Sequence, residues 1–382
     1  MAETFVAAAP AQPTTASHPK RMAHIRALDG VRGLAIALVL MVHLLESNDN
    51  PEGSYFLHLL IKIKGAGWVG VDLFFALSGF LITGILFDSL GEAHYFRNFY
   101  VRRALRIFPL YYGVLLILFL VFRPTWDTGR QLYLQLAYLQ NTSLWWHAPQ
   151  VGMLRGLTVH LWSLAVEEQF YLVWPVLVFL VRDRRKLMWV AFGLALMAPL
   201  VRTALLMHGA GFATTYTSTI CRADSLLSGA WLALAVRGER RNRLARLAPI
   251  TFWIAILCCV AIAWKTGTFS WDKNVLVNTV GYSALAVAAT SLIAMALRPN
   301  SAATAIVDIS PLRWLGKYSY GIYVLHPLLG VLYLPWLLAH VHGKIAQHVV
   351  TAIGTLAVAL PAAWLSYHFY ERRFLKLKRY FE

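Results

Sequence analysis

Leu28–Leu45, LDGVRGLAIALVLMVHLL, is an apolar run that carries one arginine, Arg32, and one histidine, His43. On a helix, eleven residues at about 100° each turn about three full circles, so both side chains share a face, about 16 Å apart along the axis. A guanidinium and an imidazole inside a membrane span are costly unless that face lines a polar interior. The stretch therefore predicts a membrane helix with a site on one side, and the rest of the chain is weighed against it.

Composition points the same way. Of 382 residues, 58% are hydrophobic and only 14% charged, with 14 tryptophans, which fits a polytopic helical membrane protein and excludes an ordinary soluble enzyme. Cys221, Cys258 and Cys259 sit in apolar stretches and offer neither a disulfide framework nor metal-ligand spacing. The net charge of +17 is scattered between apolar runs, so membrane topology accounts for it and nucleic acid does not.

Ten apolar runs of spanning length follow the N-terminal segment, at about 28–46, 67–88, 106–122, 165–181, 187–207, 216–236, 248–264, 274–297, 317–339 and 346–370. With a cytoplasmic N-terminus, most of the 35 Lys and Arg residues fall on inner segments, in clusters such as Arg102, Arg103 and Arg106 or Arg182, Arg184 and Arg185. The positive-inside rule thus predicts an all-α protein of about ten transmembrane helices with both termini cytoplasmic. Residues 1–27 read as a disordered tail without a cleavable signal, 28–372 as one membrane domain, and 373–382 as a basic cytoplasmic tail with no soluble domain appended. The longest outer connection, about 123–164, contains LYLQLAYLQ, Trp145 and Trp146, a pattern for a short helix at the outer interface or a re-entrant segment.

In this orientation the polar residues fall into two layers. Asp72 in GWVGVDLFFALSGFLI, His160, Glu167 and Glu168 in HLWSLAVEEQFY, and Arg222 and Asp224 in CRADSLLSG all start spans on the outer side, where His43 also lies. Arg102, Arg103 and Arg106 in YVRRALRIFP gather at the inner end, a cation cluster suited to phosphates. Plainer readings stand beside these. Arg32 snorkels to headgroups or lines a site; His43 and His326 are satisfied interior histidines or functional ones; the outer acids are structural ion pairs or acceptor contacts; the inner arginines are anchors or phosphate ligands. HIRALD, residues 24–29, has the H-x4-D spacing of a base and its orienting acid, but six residues are a weak match. There is no nucleophile elbow and no phosphate loop.

Taken in order, DGVRGLAIALVLMVH with its R-x10-H spacing, GWVGVDLFFALSGFLI, RRALRIFP, WSLAVEEQFYL, RADSLLSG and SYGIYVLHP resemble the motifs of the acyltransferase-3 family of integral-membrane O-acyltransferases. The resemblance extends from Asp29 to Pro327, most of the chain. It implies transfer of an acyl group, often acetyl from acetyl-CoA, to a hydroxyl of an envelope saccharide or a small molecule. It implies Arg32 and His43 as the essential pair, Arg102, Arg103 and Arg106 on the donor side, and the WSLAVEEQF segment near the acceptor.

Together these readings give His43 as general base or acyl carrier, oriented by Asp72 or Glu168, and Arg32 as a candidate oxyanion stabiliser. His160, Trp162, Glu167, Arg222 and Asp224 are the expected acceptor contacts. Acyl-CoA is expected as co-substrate, with no permanently bound cofactor and no metal. The expected partners are a saccharide or lipid-linked acceptor and membrane lipids, in a bacterial inner membrane. Two alternatives remain: an acceptor that is a small secondary metabolite, and a proton-coupled transporter, which calls for two related halves with paired broken helices.

Overall fold

A computed structural model of the chain describes residues 24–44, 66–123, 126–146, 156–239 and 241–381. Among them there are helices and turns and no strand. In chain order the main helices are α1 (Arg26–Leu44), α2 (Gly70–Asp88), α3 (Tyr95–Phe122), α4 (Trp126–Leu136), α5 (Trp162–Val181), α6 (Arg184–Met207), α7 (Ala223–Ala235), α8 (Arg241–Thr266), α9 (Tyr282–Ala296), α10 (Ser310–His340) and α11 (Lys344–Leu365). The expected tail over residues 1–27 falls almost wholly outside the described residues, as do the side chains of Trp145 and Trp146.

Among the described residues the ten apolar runs lie mainly on helix, with one break within 216–236. Seven helical segments, Gly67–Asp88, Tyr95–Phe122, Gly156–Val181, Arg184–Met207, Arg241–Thr266, Val277–Ala296 and Ala346–Phe381, are long and apolar enough to cross a membrane. The other three runs form α1, α7 and α10. The 216–236 run is not one helix. A short helix, Phe212–Thr217, ends before Ser218, a single 3-10 turn follows over Ile220–Arg222, and α7 then has only 13 residues, or about 20 Å. The break falls in the Thr-Ser-Thr segment, where hydroxyls compete with the helix for backbone groups, and beside two buried ion pairs described below.

Apolar residues cover the outside of the bundle as well as its interior. Leu116, Ile117 and Leu120 of α3, Leu172 and Leu180 of α5, and Ile254 and Leu257 of α8 are all exposed. A water-facing helix would place polar residues there; this protein is a multi-pass membrane protein whose outer surface is matched to lipid. The buried interior centres on α7, which packs against α2, α6 and α9, while α1 lies between α2 and α10.

Small residues set how closely these helices approach. A methyl group on Gly79 of α2 would overlap the carbonyl of Leu226 in α7, and one on Gly229 of α7 would overlap the carbonyl of Ala76 in α2. Lipid gives helices no hydrophobic reason to associate, so backbone proximity of this kind carries the packing. Gly79→Val is therefore expected to destabilise the protein by about 1–3 kcal/mol or more, seen as a lower melting temperature in detergent. Gly193→Ala on α6, where nothing lies within 4 Å of an added methyl, should be neutral or slightly stabilising.

Candidate active site

Helix α3 opens with a basic turn. Arg102 and Arg106 are four residues apart and Arg103 and Arg106 three, so all three fall on neighbouring positions of one side. That side lines a vestibule of about 400 Å³, which also takes His24, Asp29 and Arg32 from the start of α1 and its approach, Asp88 from the end of α2, Arg237, and Lys378 near the C-terminus. The vestibule reaches the surface at His24, whose side chain is 71% exposed.

Asp29, Asp88 and Glu92 are the carboxylates of this vestibule. Asp88 binds Arg237 through two parallel contacts, Nε to Oδ1 at 2.7 Å and Nη2 to Oδ2 at 2.6 Å. Asp29 is shared, accepting from Arg32 Nη1 at 3.2 Å and lying 2.8 Å from Nε2 of His24. The weak H-x4-D match of the sequence thus corresponds to a real contact at the mouth of the site. Arg102, Arg103, Arg106 and Lys378 form no ion pair among the described residues. Four cations crowded without a direct ion pair repel one another even with Asp29, Asp88 and Glu92 elsewhere on the same wall, and an anion in the vestibule relieves that repulsion.

Arg32, Arg103 and Arg106 also line a smaller chamber of about 110 Å³ deeper in the bundle, so they stand where the two spaces adjoin. The guanidinium of Arg103 is held there between aromatic rings, 5.6 Å from the Tyr171 centroid and 5.9 Å from that of Phe99. The chamber wall is completed by Phe74, Ser78, Ser163, Glu167 and the hydroxyl-bearing Tyr171, Tyr320 and Tyr323. Tyr171 donates to Glu167 Oε2 at 2.8 Å, and Ser78 in turn donates to Tyr171 at 2.5 Å. On another wall Tyr323 donates to the carbonyl of His160, and Ser163 donates to Tyr323 at 2.5 Å. Tyr320 is fixed by the carbonyl of Ile107 at 2.6 Å. Hydroxyls whose donors are committed to neighbours hold their positions, which makes this a preformed polar wall.

The residues singled out from sequence separate into three groups. Arg32, Arg102, Arg103, Arg106 and Glu167 come together around the vestibule and chamber. Glu167, expected among the acceptor contacts, thus lines the same chamber as Arg103 and Arg106, expected on the donor side. Glu168 is on the next position of α5, turned about 100° away, and is not among the residues lining either cavity. His160 is buried beside the chamber, its ring 5.4 Å from Tyr323 and 5.6 Å from His326.

The second group forms buried ion pairs. Arg222 Nη2 binds Asp72 Oδ1 at 2.6 Å and Arg202 Nη2 binds Asp224 Oδ2 at 2.8 Å, with all four side chains essentially buried. Ser225 adds a bond to Asp72 at 2.7 Å and Ser283 one to Asp224 at 2.8 Å. The Arg222 guanidinium also lies 4.3 Å from the Tyr282 ring centroid, part of an aromatic cluster in which Trp162 sits 4.7 Å from Tyr216. These contacts tie α2, α6, α7 and α9 together, so Asp72, Arg222, Asp224 and Trp162 take part in holding the bundle, while Asp72 Oδ2 and the Arg222 Nε and Nη1 groups are buried without a hydrogen-bond partner among the described residues. His43 forms the third group: it is on the last turn of α1, and its side chain is outside the described residues.

Sequence reasoning did not single out Arg202, Arg237, Lys378, Tyr171 or Ser78. Ser78 lies inside a quoted motif and Arg202 within an apolar run, where an arginine calls for an acid. Lys378 carries no such signal, because a basic tail is what membrane topology alone produces.

The family model described as an acyltransferase domain matches residues 25–368. The chain is similar to the peptidoglycan O-acetyltransferase OatA of Listeria monocytogenes, 31% identical over 373 residues, which is 91% of this chain and 55% of that protein. It is also similar to the O-acetyltransferase OatA of Staphylococcus aureus, 26% identical over 91% of this chain and 57% of the relative. The chain thus spans about half the length of the curated relatives it matches. No solved structure matches it. With the family's motifs distributed around one vestibule and one bundle, and the family model covering nearly the whole length, the chain belongs to the acyltransferase-3 family.

Proposed function

We propose that the protein transfers an acetyl group from acyl-CoA, entering from the cytoplasm, to a hydroxyl of a cell-wall saccharide on the outer side of a bacterial cytoplasmic membrane. The observation that carries this reading is the change in width and charge along the path. A vestibule of about 400 Å³, whose lining includes Arg102, Arg103, Arg106 and Lys378 without ion-pair partners among the described residues, adjoins, at Arg32, Arg103 and Arg106, a chamber of about 110 Å³. A nucleotide with its phosphates matches the first space, and a thin pantetheine arm the second.

In the reaction, the acceptor hydroxyl oxygen attacks the thioester carbonyl carbon while His43 takes its proton, and the carbon–sulfur bond breaks to release the CoA thiol, which leaves with that proton. An acyl-imidazole formed on His43 and then passed to the hydroxyl gives the same products. Arg32 flanks the donor arm where it enters the chamber; only where the thioester carbonyl stops at its level, well short of His43, does it instead meet the charge that builds on the thioester oxygen. The saccharide acceptor rests on the names of the relatives, both O-acetyltransferases and one of them specified for peptidoglycan.

The test is chemical. Cell-wall saccharide from cells with the intact gene should carry base-labile acetyl groups, seen by mass spectrometry, that disappear on deletion and return on complementation. Identical acetylation in all three strains contradicts the acceptor.

A further inference from the structure

The C-terminal segment that sequence reads as a tail is part of the site. Residues 366–381 run along α3 in the opposite direction. Tyr370 donates to the carbonyl of Pro109 at 3.0 Å, and the Phe381 ring lies 6.0 Å below the guanidinium of Arg97. Between these two points Lys378 faces Arg102, Arg103 and Arg106 across the vestibule. Of the five basic residues in the segment, Arg372, Arg373, Lys376 and Arg379 are exposed, and Lys378 alone is half-buried in the vestibule wall.

Placing a fourth cation against three arginines, with no carboxylate paired to any of them, is unfavourable unless an anion joins them. The four cations are not equivalent. Arg103 and Arg106 also line the chamber, toward the reacting end of a bound donor, whereas Arg102, Lys378 and the Phe381 ring line only the vestibule. In acyl-CoA the charged group farthest from the thioester, at the nucleotide end, is a phosphate monoester on the ribose.

We infer that the C-terminal segment forms one wall of the donor vestibule and that Lys378 binds the ribose phosphate monoester of CoA, giving the protein its preference for CoA over dephospho-CoA. The inference rests on acyl-CoA being the donor. Arg103 and Arg106 then serve the diphosphate, which both compounds share.

The test measures binding of CoA and of dephospho-CoA to the purified full-length protein in lipid nanodiscs by calorimetry. Wild type should bind CoA about tenfold more tightly than dephospho-CoA, the range of one charge-assisted phosphate contact. Lys378→Gln should lower CoA affinity about tenfold, to the level of dephospho-CoA, and leave dephospho-CoA unchanged. Lys378→Arg should keep the preference, and Lys376→Gln on the exposed side should change nothing. A Lys378→Gln protein that melts like wild type yet keeps the preference overturns the inference while leaving the donor reading intact. Equal weakening of both ligands also overturns it, since that signature belongs to a diffuse field. Wild type that binds neither compound overturns the donor reading and this inference with it.

Discussion

Arg32→Ala is expected to cut acyl transfer by about two to three orders of magnitude, the range for removal of a preorganised donor to a developing oxyanion. Arg32 is the one residue of α1 that lines both the vestibule and the chamber. It is half-buried, and its one hydrogen bond among the described residues goes to Asp29, so the remaining N–H donors of the fork are available to a ligand. Asp29 anchors the guanidinium from the side and His24 braces Asp29. Arg32→Lys keeps the charge but loses the planar fork, and should recover only part of the activity. Initial rates of CoA release with a saccharide acceptor, compared at equal amounts of folded protein, check this. An Arg32→Ala protein with wild-type rates would assign Arg32 to headgroup anchoring. Exposed Arg26→Ala, one and a half turns away, is the matched control.

The second large effect is on the fold. Arg222→Ala leaves Asp72 as an uncompensated charge with a side chain 1% exposed, and losing one partner of such a pair costs about 3–5 kcal/mol. The same holds for Asp72→Ala, which strands Arg222 among aromatic rings. Replacing both together with apolar residues of similar volume should cost much less than either single change. Thermal unfolding in detergent and abundance in membranes are the measurements. They also separate the two roles that sequence gives Asp72. If Asp72→Asn melts like wild type but loses all activity, the carboxylate serves the chemistry; if it melts early and its folded fraction remains active, it serves the bundle.

Helix positions and the clustering of Arg102, Arg103 and Arg106 were legible because they depend on local spacing. Apolar runs of spanning length must be helical in lipid, and residues three or four apart in RRALR must share a side. Partner choice was not legible. Asp72 and Arg222 are 150 residues apart in sequence, and nothing in either motif reveals that the acid of one answers the base of the other. The two motifs also contain Gly79 and Gly229, which meet at the same helix crossing, so part of what makes them recognisable is packing. Glu167 and Glu168 show the limit of reading by helix end. Adjacent positions differ by about 100° around α5, and only the placement of neighbouring helices decides which one reaches the chamber. The 216–236 run is not one continuous helix for a similar reason, because hydropathy averages over the Thr-Ser-Thr break that precedes Arg222 and Asp224.

His43 remains the position on which sequence and site must agree, about 16 Å along α1 from Arg32. The chamber takes Arg32 from α1 and has Ser163 and Tyr323 on its wall, while the side chain of His43 lies outside the described residues. Purified protein in sealed vesicles with radiolabelled acetyl-CoA and a peptidoglycan fragment as acceptor tests the account most directly. The account predicts label on the saccharide with one free CoA released per acetyl transferred, and no transfer by a His43→Ala protein that inserts and melts like wild type. Full transfer by that variant, or labelled saccharide without release of CoA, would contradict it.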